Sequence, residues 1–154
     1  MVFKKKFKSK TSIKLFLKEF SVKISSKDQI FLYGDLGVGK TFFCQQIIKS
    51  ITDVNIVSSP TYNIVNTYPY KKNTEIWHCD LYRINSNDEI LELGILDNFN
   101  KKILLIEWPS LLESQIDNPI IFKIDFGKTK YERNVTINLP AYIKRRFINL
   151  DIFK

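Results

Sequence analysis

The stretch Gly34-Asp-Leu-Gly-Val-Gly-Lys-Thr41 constrains this chain more than any other part of it. It reads G-x-x-x-x-G-K-T, with an apolar run at 30–33 before it and a helix-compatible run at 42–51 after it. In that strand–loop–helix setting, glycines let successive backbone N–H groups point inward, and the helix N-terminus adds its positive dipole. The sequence therefore predicts a phosphate loop that binds a nucleoside triphosphate.

The residues of this loop are expected to contact the nucleotide in different ways. Lys40 is expected to reach the β- and γ-phosphates, and the Thr41 hydroxyl is expected to bind Mg²⁺. The remaining residues present backbone N–H groups to the phosphates or line the loop. The predicted nucleotide-binding residues of this stretch are Gly34, Asp35, Leu36, Gly37, Val38, Gly39, Lys40, Thr41 and Phe42.

Length and composition limit what kind of chain this is. Its 154 residues, 44% of them hydrophobic, suffice for one domain with its own core. No apolar run approaches the ~20 residues of a membrane span. Cys44 and Cys79 lie far apart without metal-ligand spacing, as expected of reduced, buried thiols. We therefore expect a cytoplasmic protein that does not contact a membrane.

The net charge of +8 raises the question of a nucleic-acid partner. Only four of the 24 basic residues are arginine, whereas an RNA-binding surface usually combines arginines with aromatic side chains. Much of the charge is therefore expected on solvated faces. The basic ends at 4–10 and 144–146 are where a surface for RNA or for an acidic protein would lie.

The order of the apolar segments predicts an α/β fold. We expect a single P-loop NTPase-like domain with a mostly parallel central sheet, an inserted β-hairpin and helices on both faces. The hairpin is predicted within 63–82, and the first helix is predicted to begin at a hydroxyl N-cap in Thr11-Ser12. The predicted divisions are a basic N-terminal segment at 1–10, the domain at 11–140 and a basic C-terminal tail at 141–154.

Two carboxylates are candidates for catalysis together with Lys40. Glu107 ends the apolar strand at 103–106, and in a parallel sheet that end lies beside the phosphate loop, where a carboxylate meets Mg²⁺. Asp80 lies in an otherwise apolar strand, where an unpaired carboxylate is costly, so a metal, a water or an Arg partner is expected. A purely structural, hydrogen-bonded Asp80 is the alternative, and His78, the only histidine, is expected to be structural.

A polar loop follows the helix after the phosphate loop. It contains Ser59-Pro60-Thr61. P-loop proteins place the segment that senses the γ-phosphate at this point of the chain. Ser59 and Thr61 are therefore candidate switch residues.

Four sequence blocks occur in a distinctive order and spacing. They are Gly34-Asp-Leu-Gly-Val-Gly-Lys-Thr-Phe, Ser59-Pro-Thr-Tyr-Asn-Ile-Val-Asn, His78-Cys-Asp-Leu-Tyr-Arg and Ile106-Glu-Trp-Pro. With these blocks the chain resembles the TsaE (YjeE) family, small bacterial ATPases of tRNA threonylcarbamoyladenosine synthesis. The resemblance spans roughly 11–139, which is nearly the whole chain.

The resemblance implies ATP as the nucleotide and Mg²⁺ as the ion. It assigns Lys40 and Thr41 to the phosphates and Mg²⁺, Glu107 to Mg²⁺, and Asp80 to an acidic residue needed for ATP hydrolysis. Outside the loop it adds further residues expected to bind ATP. These are Thr11, Trp108 and Arg133.

The resemblance also implies partners. Members of the family work with TsaD and TsaB, which transfer the threonylcarbamoyl group to tRNA, so this chain is expected to meet tRNA only through that complex. ATP turnover is expected to reset or regulate the TsaD–TsaB complex.

Three other functions are compatible with a phosphate loop. A small-molecule kinase would bring several arginines from a mobile lid onto the phosphates, and only Arg83 and Arg133 lie in the body of this chain. A nucleotide-gated binding module would turn ATP over negligibly and would use Asp80 structurally. A non-specific RNA-binding ATPase would use the Lys-rich ends.

Overall fold

Apolar strands alternate with short helices along the chain. The computed structural model describes residues 1–71, 73–97 and 99–147. The strands and α-helices, in chain order, are β1 (Val2–Phe7), α1 (Lys10–Ser21), β2 (Gln29–Tyr33), α2 (Lys40–Ile51), β3 (Val65–Pro69), β4 (Glu75–Asp80), α3 (Asn87–Glu92), β5 (Lys102–Glu107), β6 (Ile120–Phe126), β7 (Arg133–Asn138) and α4 (Lys144–Phe147). Short 3₁₀ helices lie at Phe99–Lys101, Pro109–Leu112 and Ala141–Ile143.

The seven strands form one sheet in the order β1-β7-β6-β2-β5-β4-β3. The four central strands, β6, β2, β5 and β4, run parallel to one another, and the strands outside them pair antiparallel. The most apolar strands are β2, β5 and β6, and every residue of β5 is buried, as expected of parallel strands covered on both faces. Their carboxyl ends meet at one edge, and the phosphate loop begins there.

Helices cover the two faces of the sheet unequally. On one face α1 and α2 bury a large core that includes Phe20, Ile30 and Phe122. On the other face, α3 and the segments around it cover a smaller core that includes Phe31, Leu104 and Ile106. Alternate residues of the central strands thus point into different cores. Helices on both faces of a largely parallel sheet confirm the predicted α/β class, and the β3–β4 hairpin confirms the predicted hairpin.

The N-terminal residues differ from the prediction. Helix α1 begins at Lys10 and is capped by Ser9, so the predicted cap in Thr11-Ser12 is wrong. The Ser9 hydroxyl accepts from the Ser12 N–H at 3.2 Å, and the Ser12 hydroxyl accepts from the Ser9 N–H at 3.3 Å. This reciprocal arrangement satisfies two backbone donors at the helix start, which a cap at Thr11 would not do.

The basic segment at 1–10 contains a strand that the sequence analysis did not predict. Strand β1 pairs antiparallel with β7 and forms one end of the sheet. Phe7, its last residue, is buried and contacts Phe16 of α1 edge to face, with ring centroids 5.2 Å apart. Strand β1 is therefore part of the sheet, whereas the predicted divisions separated 1–10 from the domain.

The first part of the predicted basic tail is also folded, while residues 148–154 lie outside the described residues. Phe147 of α4 is fully buried, and its ring centroid is 4.8 Å from that of Phe20. Arg146 donates to both carboxylate oxygens of Asp28, at 2.9 and 2.7 Å, and to the Lys23 carbonyl oxygen at 3.0 Å. Asp28 is buried, so this bidentate pair compensates a buried charge.

Two further expectations concern membranes and thiols. Among the described residues, no helix is long and apolar enough to cross a membrane. Cys44 and Cys79 are both buried and free of disulfide bonds, as predicted.

The docking of α4 generates the first testable prediction. Replacing Arg146 with Ala leaves Asp28 buried without its cationic partner, so we expect the free energy of unfolding to fall by about 2 kcal/mol. Urea unfolding followed by circular dichroism measures this. Arg145→Ala is the matched control, because Arg145 is the exposed neighbour on the same helix. Equal stability of the two variants would contradict a structural role for Arg146.

Candidate nucleotide-binding site

The phosphate loop at 34–41 joins the end of β2 to the start of α2. Gly39 is the N-cap of α2 and has a φ of 111°, a backbone conformation that residues other than glycine rarely adopt. Gly34, with a φ of 142°, is constrained twice, because a Cβ there would collide with the Ile124 carbonyl oxygen of β6. The loop backbone therefore lies directly against β6, and glycine at 34 permits that approach.

Lys40, the first residue of α2, is 4% exposed. Its Nζ donates to the carbonyl oxygens of Gly34 at 2.7 Å and Asp35 at 3.0 Å, and it lies 3.9 Å from the centroid of the Trp108 ring. Burial lowers the pKa of Lys40, while the nearby carboxylates, Glu107 foremost, oppose that shift. The ammonium is thus held by carbonyl dipoles and an aromatic face at the position where an anion entering the loop would meet it.

The structure brings Thr41 and Glu107 together. The Thr41 hydroxyl donates to Oε2 of Glu107 at 2.9 Å. The other carboxylate oxygen, Oε1, lies 2.8 Å from Nε2 of His78. Glu107 ends β5 beside Leu32 of β2, in adjacent parallel strands. The end of β5 therefore places this buried carboxylate at the start of α2.

Asp80 lies next to Glu107, its partner in the β4–β5 register. Oδ2 of Asp80 accepts from the Thr61 hydroxyl at 2.8 Å, and Oδ1 accepts from the Tyr82 N–H at 3.1 Å. The Ser59 and Thr61 hydroxyls are themselves 2.8 Å apart. Both predicted switch residues are therefore linked by hydroxyl hydrogen bonds to the carboxylate of β4.

The sequence analysis named a metal, a water or an Arg as the partner of Asp80. Within the described ranges the protein partners are a hydroxyl and a backbone N–H, and Arg83 makes no salt bridge with Asp80. The Arg83 guanidinium lies instead 5.0 Å from the centroid of the exposed Tyr62 ring. Arg83 and Tyr62 therefore lie together at the surface beside the switch residues.

Backbone strain lies immediately after the switch residues. Ile64 has a φ of 65°, which is a genuine outlier for a β-branched residue. Its N–H donates to the Pro60 carbonyl oxygen at 2.6 Å, and its carbonyl oxygen accepts from the Asp80 N–H at 2.9 Å. Strain of this kind costs on the order of 1–3 kcal/mol and is concentrated at functional and switch segments.

Trp108 forms a wall of the site. It follows Glu107 directly and has a φ of 57°. Its backbone N–H donates to the Leu32 carbonyl oxygen at 3.3 Å. Its ring contacts that of Tyr82, with centroids 4.9 Å apart, as well as the Lys40 ammonium. The turn after β5 thus places the indole beside the phosphate loop.

Two cavities adjoin the phosphate loop and share Gly37 and Gly39. The first, of about 160 Å³, is lined by Leu36, Gly37, Gly39, Lys40, Thr41, Thr61, Asp80, Tyr82, Glu107 and Trp108. The second, of about 180 Å³, is lined by Lys10, Ile13, Gly37, Val38, Gly39, Phe42, Phe43, Lys130, Tyr131 and Arg133. The first is charged and polar, and the second combines aromatic and basic side chains.

Arg133 lies in the second cavity, but its guanidinium is bonded to backbone. It donates to the carbonyl oxygens of Val38 at 2.6 Å, Lys130 at 2.9 Å and Glu132 at 2.7 Å. The bond to Val38 therefore links Arg133 to the phosphate loop. Thr11 is exposed on α1 and does not line either cavity. Contacts of Arg133 and Thr11 with ATP stay predictions.

Sequence reasoning missed several residues of the site. The α1 residues that line the second cavity are Lys10 and Ile13, and Lys10 places its Nζ 5.5 Å from the Phe42 ring centroid. Tyr131 enters from the loop between β6 and β7, and no motif marked it. His78 was predicted to be structural, although the His-x-Asp spacing puts it on the same face of β4 as Asp80.

The residues beside Lys40 suit a hard divalent cation. Mg²⁺ prefers oxygen ligands in octahedral geometry and keeps several waters. The Thr41 hydroxyl and the Glu107 carboxylate supply two such oxygens 2.9 Å apart, and Asp80 lines the same cavity. Thr41 and Glu107 are therefore the residues that would hold Mg²⁺.

The fold and the site together define a P-loop NTPase-like protein. The comparisons with known proteins agree. The model of the family "Threonylcarbamoyl adenosine biosynthesis protein TsaE" matches residues 7–135. The crystal structure of Bacillus subtilis YdiB superposes with a TM-score of 0.72 at 21% identity, covering 92% of this chain and 88% of that one.

Named relatives of the chain identify its family. A protein of Rickettsia bellii called tRNA threonylcarbamoyladenosine biosynthesis protein TsaE is 41% identical over 114 residues, 73% of this chain and 78% of that protein. A Borreliella burgdorferi protein of the same name is 33% identical over 134 residues, 86% of this chain and 96% of that protein. The chain belongs to the TsaE family.

The burial of Lys40 generates the second prediction. Wild-type protein should gain about 2.7 kcal/mol of stability from Mg-ATP at a hundred times its Kd, and Lys40→Ala should lose this gain while remaining folded. Thermal melting with and without Mg-ATP measures the difference. Lys49→Ala, at an exposed lysine near the end of α2, should retain the wild-type response. A wild-type protein without any such response would contradict the nucleotide site itself.

Proposed function

We propose that this chain binds and hydrolyses Mg-ATP as a subunit of the machinery that makes threonylcarbamoyladenosine in tRNA. One observation carries the proposal: the start of α2 and the ends of β4 and β5 bring Lys40, Thr41, Asp80 and Glu107 around one cavity. The names of the relatives supply the pathway, because they describe proteins of tRNA threonylcarbamoyladenosine biosynthesis.

The phosphate loop would bind the triphosphate. The Lys40 ammonium can exchange its carbonyl partners, at 2.7 and 3.0 Å, for phosphate oxygens without leaving the loop. Such an exchange is favourable, because the ammonium is attracted more strongly to an anionic phosphate oxygen than to a neutral carbonyl dipole. The second cavity, with Phe42, Tyr131 and Lys10, is large enough only for part of the nucleotide and suits its base and sugar.

The two carboxylates have different proposed roles. Glu107, together with Thr41, would hold Mg²⁺, which when bound neutralises charge on the phosphates. Asp80 is bonded to the Thr61 hydroxyl and is more remote from Lys40 along the sheet, since β5 separates β4 from β2. We assign Asp80 to orienting the attacking water, or to linking the switch residues to hydrolysis.

The partner would be the TsaD–TsaB complex. Arg133 is bonded to three backbone carbonyls, and Arg83 lies against Tyr62 at the surface. Neither guanidinium lies in the first cavity, which Lys40, Thr41, Asp80 and Glu107 line. We therefore expect slow ATP hydrolysis by this chain alone. A partner that reorders Ser59 and Thr61, or supplies a cation, would accelerate it, and ATP turnover would then reset or regulate TsaD–TsaB.

A small-molecule kinase is the second candidate, since it uses the same phosphate loop. Kinases of this class close a lid that carries arginines over the phosphates. The arginines of the described part of the chain are Arg83, Arg133, Arg145 and Arg146. Arg146 is bonded to Asp28 and Arg133 to the loop backbone, so the observations favour hydrolysis.

The third prediction separates the carboxylates. Glu107→Gln should weaken nucleotide binding in Mg²⁺ but not in EDTA, because it removes the charge that attracts the ion. Asp80→Asn should bind Mg-ATP nearly as wild type does and hydrolyse it more slowly. Calorimetric titration and phosphate release measure these two properties.

Asp88→Asn is the control for the carboxylate pair, because Asp88 is exposed in the first turn of α3, away from the cavity. It should match wild type in both assays. The reverse pattern in the two test variants would show that the roles of Glu107 and Asp80 are exchanged.

The fourth prediction concerns the partner. TsaD–TsaB with matching tRNA should stimulate ATP hydrolysis, and an arginine supplied in trans changes such rates by about 10³–10⁵-fold. This chain should also bind TsaD–TsaB more tightly with ATP than with ADP. By reciprocity the complex must then tighten ATP binding by the same factor. Equal affinity for TsaD–TsaB in the ATP, ADP and empty states would contradict the coupling.

A further inference from the structure

His78 is the only histidine of the chain, and it is fully buried in β4. Its Nε2 lies 2.8 Å from Oε1 of Glu107, while Oε2 of the same carboxylate accepts from Thr41. Each carboxylate oxygen therefore has its own partner, one from β4 and one from α2. The plane of the carboxylate is fixed between these two partners.

We propose that His78 is a positioning residue that orients Glu107 for Mg²⁺. This inference rests on the proposed function, in which Glu107 holds the ion. A carboxylate that rotates freely loses conformational entropy when it binds an ion. A hydrogen bond from a neighbouring residue that already fixes the carboxylate reduces this entropic cost. His78 reaches no cavity beside the phosphate loop, so it acts through Glu107.

The surroundings of the ring select its tautomer. Nδ1 of His78 is buried and has no hydrogen-bond partner. A neutral ring with its proton on Nε2 donates to Glu107 and leaves only a lone pair unpaired at Nδ1. Either alternative, the other neutral tautomer or the doubly protonated ring, would bury an unpaired N–H. The geometry therefore assigns the Nε2–H tautomer.

Cys44 completes the buried cluster around Glu107. Ligand atoms of Cys44, His78 and Glu107 lie within 4.8 Å of one another, which resembles a site for a soft metal. Burial raises the pKa of the Cys44 thiol well above its ordinary value, and a protonated thiol is a poor metal ligand. The thiol and the imidazole are thus the buried groups that lie around the Glu107 carboxylate.

The first test reads the tautomer directly. Because the chain has one histidine, ¹⁵N-histidine labelling yields a spectrum of His78 alone. We expect a protonated, pyrrole-type Nε2 and an unprotonated, pyridine-type Nδ1 in wild-type protein near pH 7. A proton on Nδ1 with none on Nε2 would overturn the proposal, because the ring could not then donate to Glu107. This result does not depend on whether the protein binds ATP.

The second test measures Mg²⁺ itself. In His78→Leu, we expect the apparent Mg²⁺ affinity of the nucleotide complex to fall by about 10–100-fold, as is usual when a partner of a metal ligand is removed. Nucleotide affinity in EDTA should stay within about threefold of wild type. His78→Gln, whose amide can donate from a position like that of Nε2, should restore most of the Mg²⁺ affinity.

The outcomes of the second test are distinct. An unchanged Mg²⁺ affinity in His78→Leu, or equal losses with and without Mg²⁺, would overturn the positioning role. If His78→Leu fails to fold, the tautomer and His78→Gln decide the question, and His78→Gln must then keep most of the wild-type Mg²⁺ affinity. If wild-type protein binds no nucleotide, the proposed function fails, whereas the assigned tautomer still stands or falls by its own spectrum.

Discussion

Glu107 ends β5, the strand whose residues are all buried, and only 2% of its surface is exposed. A carboxylate in that position is costly unless hydrogen bonds and nearby positive charge compensate it. Thr41 supplies one hydrogen bond from α2, His78 supplies another from β4, and the buried Lys40 supplies charge. Because these partners come from α2 and from β4, satisfying this one charge links the start of α2 to the ends of β4 and β5. Replacing any one partner leaves the others incompletely bonded, which is how a buried polar network specifies a single arrangement.

The same geometry connects the site to the segment proposed as a switch. Asp80 is the neighbour of Glu107 across two parallel strands, and it bonds the Thr61 hydroxyl on one side and the Tyr82 N–H on the other. Ile64, three residues after Thr61, bonds the Asp80 N–H from a strained backbone conformation. Strain that the surroundings maintain is released when those surroundings change. A ligand that competes for Asp80 or Thr61 would therefore move this segment, which gives the proposed coupling to a partner a physical origin.

The site residues that the sequence predicts lie in the phosphate loop and at the ends of strands. The phosphate-loop motif located Lys40 and Thr41, and the rule that carboxyl ends of parallel strands meet at one edge placed Glu107 beside them. Asp80 was singled out by the cost of a carboxylate in an apolar strand, and the structure pairs it with Glu107. His78 could not be placed in the same way, because alternation along a strand gives the face of a side chain but not its partner on the next strand. The prediction that Arg133 binds ATP stays a prediction, and no pattern in the sequence indicated that Nε of Arg133 donates to the Val38 carbonyl oxygen of the phosphate loop. The contacts of His78 and Arg133 join segments that are distant in the sequence, so no local pattern predicts them.

The fold determines what the basic residues at the two ends of the chain contact. Met1 and Leu139 exchange both backbone hydrogen bonds, so in the antiparallel register of β1 and β7 the N–H and C=O groups of Lys4 and Lys6 face away from β7. Among the described residues β1 is the outermost strand on this side of the sheet, and lysines on such a strand oppose pairing with another strand. At the other end of the chain, Arg146 is committed to Asp28. The lysines of β1 thus protect an edge and the arginine of α4 compensates a buried carboxylate. Arg146 is therefore committed within the fold, whereas binding of RNA by the exposed lysines of the two ends stays a prediction.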